Sequence, residues 1–416
     1  MSSAAVTAWI RQHATPLATI DPTAPLTDLA PLRQVVGDAQ VVGLGESTHG
    51  AHEQFALKHR IVRLLVEELG FGCVALEEDW TKGRQLDEYL VTGTGDPRAL
   101  LADAGPPWRT EEILQLLTWL RSHNQAYPDS KVRFVGVDIV AVGPLAYQAV
   151  TEYVERAAPD RAGELEQQFA AIRPRGHLQQ HVRWLHSQPD KQPFLDHAAR
   201  AYELVSNLPA TKGHALALQH AKAIMAFYTY HAQQQVAFRD QQMAENLSWW
   251  RDHTGDKVVY WAANVHTANG PRLAISYPPF PPSQGQSAGA DLRERYGRGY
   301  VSLGITFHHG TINIGWNPPQ PYRVPVPPTR FAESTLADSG QRDFILDLHA
   351  PAPDEVRTWL DAPATLRAIG PAYEPDKDAD YHMSGGPLAQ WFDAVIQLEE
   401  VTPTRLLAPR GPIPQA

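Results

Sequence analysis

The chain of 416 residues contains a single cysteine, Cys73. One thiol excludes an internal disulfide framework and a cysteine-based zinc site. Cys73 lies in an apolar run, where a buried, inert thiol is expected. No stretch approaches 18 consecutive apolar residues, so no membrane-spanning helix is expected. Positive charge is in short supply too. Lys and Arg number 36 against 46 Asp and Glu, a net charge of −10, and no basic patch stands out. Nucleic acid and anionic membrane surfaces are therefore not expected partners. The first residues suggest a weak amphipathic helix and lack the basic segment and apolar stretch of a signal peptide. A soluble cytoplasmic protein is the expectation.

What is present suits a large folded core: 43% of residues are hydrophobic. Eleven tryptophans and 35 prolines suggest a loop-rich molecule with aromatic-lined clefts. Short apolar runs alternate with helical patterns. Gln40 to Leu44 reads as a strand, and Ala51 to Leu69 as a helix with Phe55, Leu57, Ile61, Leu64, Leu65 and Leu69 on its apolar side. Gly70 supplies the C-terminal stop. Cys73 to Leu76, Val132 to Val137, Lys257 to Ala262 and Tyr300 to Phe307 read as further strands, and Thr110 to Tyr127 as a helix. Such alternation predicts an α/β fold with a mostly parallel central sheet flanked by helices. Residues 145–255 break the rhythm and read as a largely helical insertion lobe. The expected layout is an N-terminal helical segment (1–34), an α/β catalytic core (35–144 and 256–407), the lobe, and a tail (408–416). Tyr277 to Ser287 and Asn317 to Thr329 read as Pro-rich loops, the first a candidate lid.

Open α/β sheets bind ligands beyond the carboxyl ends of their strands. Four such ends here carry polar groups. The first is Gly43-Leu-Gly-Glu46-Ser-Thr-His49-Gly50, with a carboxylate and an imidazole three residues apart on a strand–helix junction. The second offers Glu77, Glu78 and Asp79; alternation along a strand would turn one inward and leave the others solvated. Asp138 ends the third, as a cleft residue or a helix cap. The fourth is Trp261-Ala-Ala-Asn264-Val-His266. His49, His52 and Glu53 have the spacing of a metal-binding helix face or of a solvated one. His308 and His309 end another strand, where alternation lets no more than one enter the cleft. Arg239, in Arg239-Asp-Gln-Gln-Met243-Ala-Glu-Asn246, can hold carboxylates or bind an anionic group. Ser47 lacks a Gly-x-Ser-x-Gly elbow, so a serine nucleophile is not expected.

These motifs resemble the erythromycin esterase family. Val74-Ala-Leu-Glu77, Trp108-Arg-Thr-Glu-Glu-Ile, Val135-Gly-Val-Asp138, Leu292-Arg-Glu-Arg-Tyr-Gly and Gly304-Ile-Thr-Phe extend the likeness, which covers roughly residues 35 to 400. The resemblance implies hydrolysis of cyclic esters such as macrolide lactones without a cofactor. It implies His49 as general base, Glu46 and Glu77 orienting or polarising it, and His266 binding the substrate carbonyl or the developing oxyanion. Lys58, Asp138, Arg239, Met243 and Asn264 are the expected contacts to a small-molecule or natural-product substrate. Two positions depart from the family pattern. Ala263 stands where macrolide esterases carry the first histidine of Trp-Ala-His-Asn-x-His, and Lys58 where an arginine is common. Alanine offers no hydrogen bond to a transition state, and lysine gives up bidentate carboxylate recognition. Alternatives remain open: a non-hydrolytic enzyme catalysing proton transfer, elimination or acyl transfer; a divalent-metal enzyme using Glu46, His49, Glu77 and His266; or a ligand-binding homologue without turnover.

Overall fold

The computed structural model describes residues 4–408, apart from 175, 177, 316 and 317. A nine-stranded sheet runs through the molecule. Its spatial order is Thr15–Pro16, Phe344–Asp347, Ala394–Val401, Tyr300–Ile314, Val41–Leu44, Lys257–Trp261, Phe71–Asp79, Arg133–Asp138. From Ala394–Val401 to Arg133–Asp138 every pairing is parallel. The strands nearer the N-terminal edge, and Gln320–Val324 beside Tyr300–Ile314, pair antiparallel. The mixed α/β architecture predicted from the alternating runs is therefore present.

Period-2 alternation builds both layers of core. Val42, Leu44, Val74, Leu76, Val259 and Trp261 face one side and pack with Phe55, Leu57 and Ile61 of the helix His52–Leu69 and with Leu116 and Leu120 of Glu111–Ala126. Their neighbours Val41, Cys73, Ala75, Val258 and Tyr260 face the other side, against Met243, Leu247 and Trp250 of Val236–Thr254. The helix His52–Leu69 ends where Gly70 takes φ 71°, a left-handed conformation suited to glycine. Thr110 caps Glu111–Ala126 by accepting from the amide of Ile113.

Between Arg133–Asp138 and Lys257–Trp261 the chain is helical: Pro144–Ala157, Ala162–Ile172, Leu178–Ser187, Gln192–Ser206, His214–Gln233 and Val236–Thr254. Most of these helices share a core of their own around Tyr147, Phe169, Val205, Phe227 and Tyr228. The last is different, because it lies on the sheet.

Several segments differ from the sequence expectation. Phe71–Asp79 runs three residues past Leu76, and Tyr300–Ile314 runs well past Phe307 because Gln320–Val324 pairs with its extension. That hairpin partner occupies a segment expected to be loop, of which residue 317 lies outside the described residues. Within the other Pro-rich segment, Ser283–Gly285 pairs with Leu273–Ser276 in a small four-stranded sheet. Of the expected tail, residues 409–416 lie outside the described residues. Among the described residues no helix is long and apolar enough to cross a membrane.

Candidate active site

Strand register sets the site. Leu44 and Leu76 both lie opposite Trp261 across adjacent parallel strands. The chain segments carrying Glu46, Glu77 and Ala263 therefore leave the sheet at one level. The turn after Leu44 is drawn tight against the turn after Trp261. The Asn264 amide donates to the Glu46 carbonyl at 2.7 Å, and Asn264 Nδ2 donates to the Ile305 carbonyl at 2.9 Å. A Cβ on Gly45 would stand 2.1 Å from Asn264 Oδ1, so only glycine allows this approach.

His49 occupies the middle of the cleft, its side chain 26% exposed. Its Nδ1 lies 2.9 Å from Glu46 Oε1, and its Nε2 lies 3.8 Å from Glu77 Oε2. The ring meets the edge of Trp108 at a centroid distance of 4.9 Å, and Trp108 Nε1 donates to the Glu77 carbonyl at 2.9 Å. Burial pushes the His49 pKa below its ordinary value, and the positive charges of His266 and Arg239 add to that against the pull of Glu77. His49 is thus neutral at pH 7, with Nδ1–H donated to Glu46 and the Nε2 lone pair open to the cleft.

His266 has the opposite setting. Its Nδ1 is 2.8 Å from Asp240 Oδ1 and its Nε2 is 3.3 Å from Glu77 Oε1. Burial lowers its pKa, but Asp240 and Glu77 together raise it to about 10. Glu77 itself would be raised by burial, yet His266, His49 and Arg239 hold its carboxyl well below the usual range. Arg239 binds Asp138 through Nε and Nη2, at 2.9 and 2.6 Å, and reaches Glu77 Oε1 with Nη2 at 2.7 Å. The site thus pairs an uncharged imidazole with a charged one across a shared carboxylate.

Glu46, His49, Glu77, Asp138 and His266 come together at the strand ends, and Arg239 joins them from the helix Val236–Thr254. Three expected substrate contacts are placed elsewhere. Lys58 is fully buried, ion-paired with Glu46, and donates to the Ala262 carbonyl at 3.2 Å from above the Trp261 ring. Burial pushes its ammonium well below the ordinary lysine range, opposed by the charge of Glu77. It holds Glu46 rather than a ligand. Met243 is fully buried beneath the sheet, with Tyr260 Oη 3.7 Å from its sulfur. Asn264 is fully buried and fastens the turn after Leu44.

Glu78 and Asp79 are not solvated. Asp79 caps the helix Trp80–Thr92, accepting from the amides of Thr81 and Lys82. Glu78 Oε1 accepts from the Asp79 amide, and its Oε2 from the Gly105 amide. Asp138 anchors an arginine instead of capping a helix. The His49–His52–Glu53 spacing does not make a metal face either: His52 pairs with Glu112, and Glu53 accepts from Thr402. Ser47 Oγ accepts from Gln54 Nε2 at 2.8 Å, and among the described residues no imidazole hydrogen-bonds to it. Asp240, which joins this cluster through His266, is the residue that strand-end reasoning missed. It lies near the start of the helix Val236–Thr254, and only its adjacency to Arg239 in sequence signalled it.

Ligand atoms of Glu46, His49 and Glu77 fall within 4.8 Å of one another, close enough to hold a divalent cation. Lys58 and Arg239 compete for oxygens of the same two carboxylates.

An α/β scaffold with two histidines and flanking carboxylates gathered at its strand ends is the setting in which acid–base enzymes place their reacting groups. The chain belongs to the erythromycin esterase family, whose profile matches residues 66–401. It is 24% identical over 330 residues to an erythromycin esterase type II of Escherichia coli, covering 73% of this chain and 77% of that protein. It is 23% identical to the putative hydrolase YbfO of Bacillus subtilis, covering 96% and 92%. A solved succinoglycan biosynthesis protein superposes with a TM-score of 0.83 at 28% identity, over 98% of this chain and 100% of the other. A mutant of the erythromycin esterase EreC in its open conformation shares the fold, with a TM-score of 0.73 at 16% identity over 94% of this chain and 98% of its own.

Proposed function

We propose that this chain hydrolyses ester bonds, in a cyclic ester or a related acyl-containing natural product, with His49 as the general base. The observation that carries the reading is the Glu46–His49 pair: Glu46 takes Nδ1–H and leaves Nε2 as the only proton acceptor of that ring facing the cleft. A water between His49 and the substrate gives its proton to Nε2 as its oxygen bonds to the acyl carbon. Glu46 and Glu77 stabilise the imidazolium that forms. His266, charged and flanked by carboxylates, donates toward the oxyanion or the departing alkoxide. When the C–O bond breaks, the alkoxide takes a proton and the acid is released. The family pattern supports the same roles for these four residues.

Ala263 favours a second reading. It has a methyl group where the family's macrolide esterases have a histidine, and its amide donates to Glu77 Oε2 at 3.0 Å. With that contact missing, a hydroxyl of the substrate could replace water, giving intramolecular acyl transfer. A panel of lactones and simple esters incubated in ¹⁸O-water separates the two. Labelled carboxylate product is expected, with a loss of about 10²–10⁴-fold in rate for His49→Ala and no loss after chelation. Activity that survives His49→Ala contradicts the base assignment. Turnover without label points to transfer.

A further inference from the structure

Away from the cleft, one cluster of titratable groups takes no part in this chemistry. His308 and His309 lie on the extension of Tyr300–Ile314 beyond its catalytic end. Alternation would send their rings to opposite faces. Instead the two Nδ1 atoms are 3.1 Å apart, with ring centroids 5.2 Å apart at 87°. The adjacent parallel strand Ala394–Val401 brings Glu399 alongside, its Oε1 3.9 Å from His308 Nδ1. Gly310 follows the pair with φ 147°, and a Cβ there would stand 2.1 Å from the Val401 carbonyl oxygen. Glycine alone lets the two strands stay this close.

We propose that His308, His309 and Glu399 form a binding site for a borderline transition-metal dication such as Zn²⁺ or Ni²⁺. Their donor atoms lie within 4.8 Å of one another, and all three side chains are half-buried and reachable from solvent. Two imidazoles and one carboxylate are a familiar donor set for zinc, with a fourth position left to water. Bonds of about 2.0–2.1 Å in a tetrahedron place neighbouring donors about 3.3–3.4 Å apart. The 3.1 and 3.9 Å separations bracket that edge, so small side-chain rotations complete the site. Without metal, one ring donates Nδ1–H to the other. Binding needs both Nδ1 lone pairs, so that proton moves to Nε2 of its own ring and none is released. A neighbouring cation, Arg367, donates to the Phe307 and His308 carbonyls and is paired with Asp378 at 2.8 Å.

A bound ion would bridge two parallel strands and stabilise the folded state by mass action. The test titrates chelator-treated protein with Zn²⁺ and with Ni²⁺, by calorimetry and by thermal unfolding. The expected result is about one equivalent bound at this site and a raised unfolding midpoint. His309→Ala and Glu399→Gln should each weaken binding by about tenfold or more, while His49→Ala retains it. Circular dichroism and unfolding midpoints in EDTA should match the parent for both variants. Undiminished binding in His309→Ala and Glu399→Gln, or loss confined to His49→Ala, overturns the proposal.

Discussion

Lys58 shows how one side chain can be misjudged from its neighbours in sequence. Helical periodicity reports a face, but this helix is buried almost all round, with Gln54, Lys58, His59 and Arg60 as inaccessible as its leucines. Lys58→Met would leave Glu46 as an uncompensated buried charge and should cost about 3–5 kcal/mol in urea unfolding. Lys58→Met combined with Glu46→Gln should recover part of that loss. Asp240 controls a different property. In the proposed mechanism, a neutral His49 and a charged His266 should give a rate that rises with pH through a value below 6.5 and falls near the His266 pKa of about 10. Asp240→Asn removes the larger raising charge on His266. The alkaline limb of the kcat/KM profile should move to lower pH while the acid limb stays. An unmoved alkaline limb would argue against His266 as the donor. From sequence, Glu46, His49, Glu77, Asp138 and His266 were legible because each ends a strand in a pattern with a known ligand-binding edge. Met243 and Asn264 were not, because whether a side chain on a helix or turn faces the cleft or the core depends on what packs against it.

Among the elements, the strands with continuous apolar runs and the helices with sharp caps were readable to within a few residues. Phe344–Asp347 and Ala394–Val401 were not recognised. Each is short or mixed in polarity, and each gains its strand character from a partner far away in sequence. The helix Trp80–Thr92 illustrates a contact invisible to periodicity. Gly83 sits against the strand Arg133–Asp138 so closely that an added Cβ would lie 1.8 Å from the Gly136 nitrogen. Gly83→Ala should force the helix off the sheet and cost about 1–3 kcal/mol or more. The check is a lower urea midpoint with an unchanged m-value.

For the whole molecule, buried imidazoles set the response to pH. Burial holds His59 at about 3, and His220 and His231 at about 4. Both His59 nitrogens are without partners. Unfolded histidines titrate near 6.5, so below that pH the unfolded chain binds protons the native one refuses. The contribution of these three groups is full above about pH 6.5 and falls toward pH 4 by up to about 4 kcal/mol per unit, roughly 1.36 per proton for three groups. Urea midpoints at pH 7 and pH 5 would show it, and His59→Gln should flatten the slope by about one proton. His266 acts in the other direction: raised to about 10, its contribution is complete below 6.5 and lost as pH climbs through 10. The meeting of Glu46, Glu77, Asp138, Asp240 and His266 has one more consequence, which concerns time. These residues come from segments spread over half the chain, and Asp240 and His266 flank the return from the helical region to the sheet. No early fragment on the ribosome holds both histidines. A nascent chain can bury hydrophobic residues and form helices long before the cluster exists, so the chemistry proposed for it must wait until the last of these segments is in place.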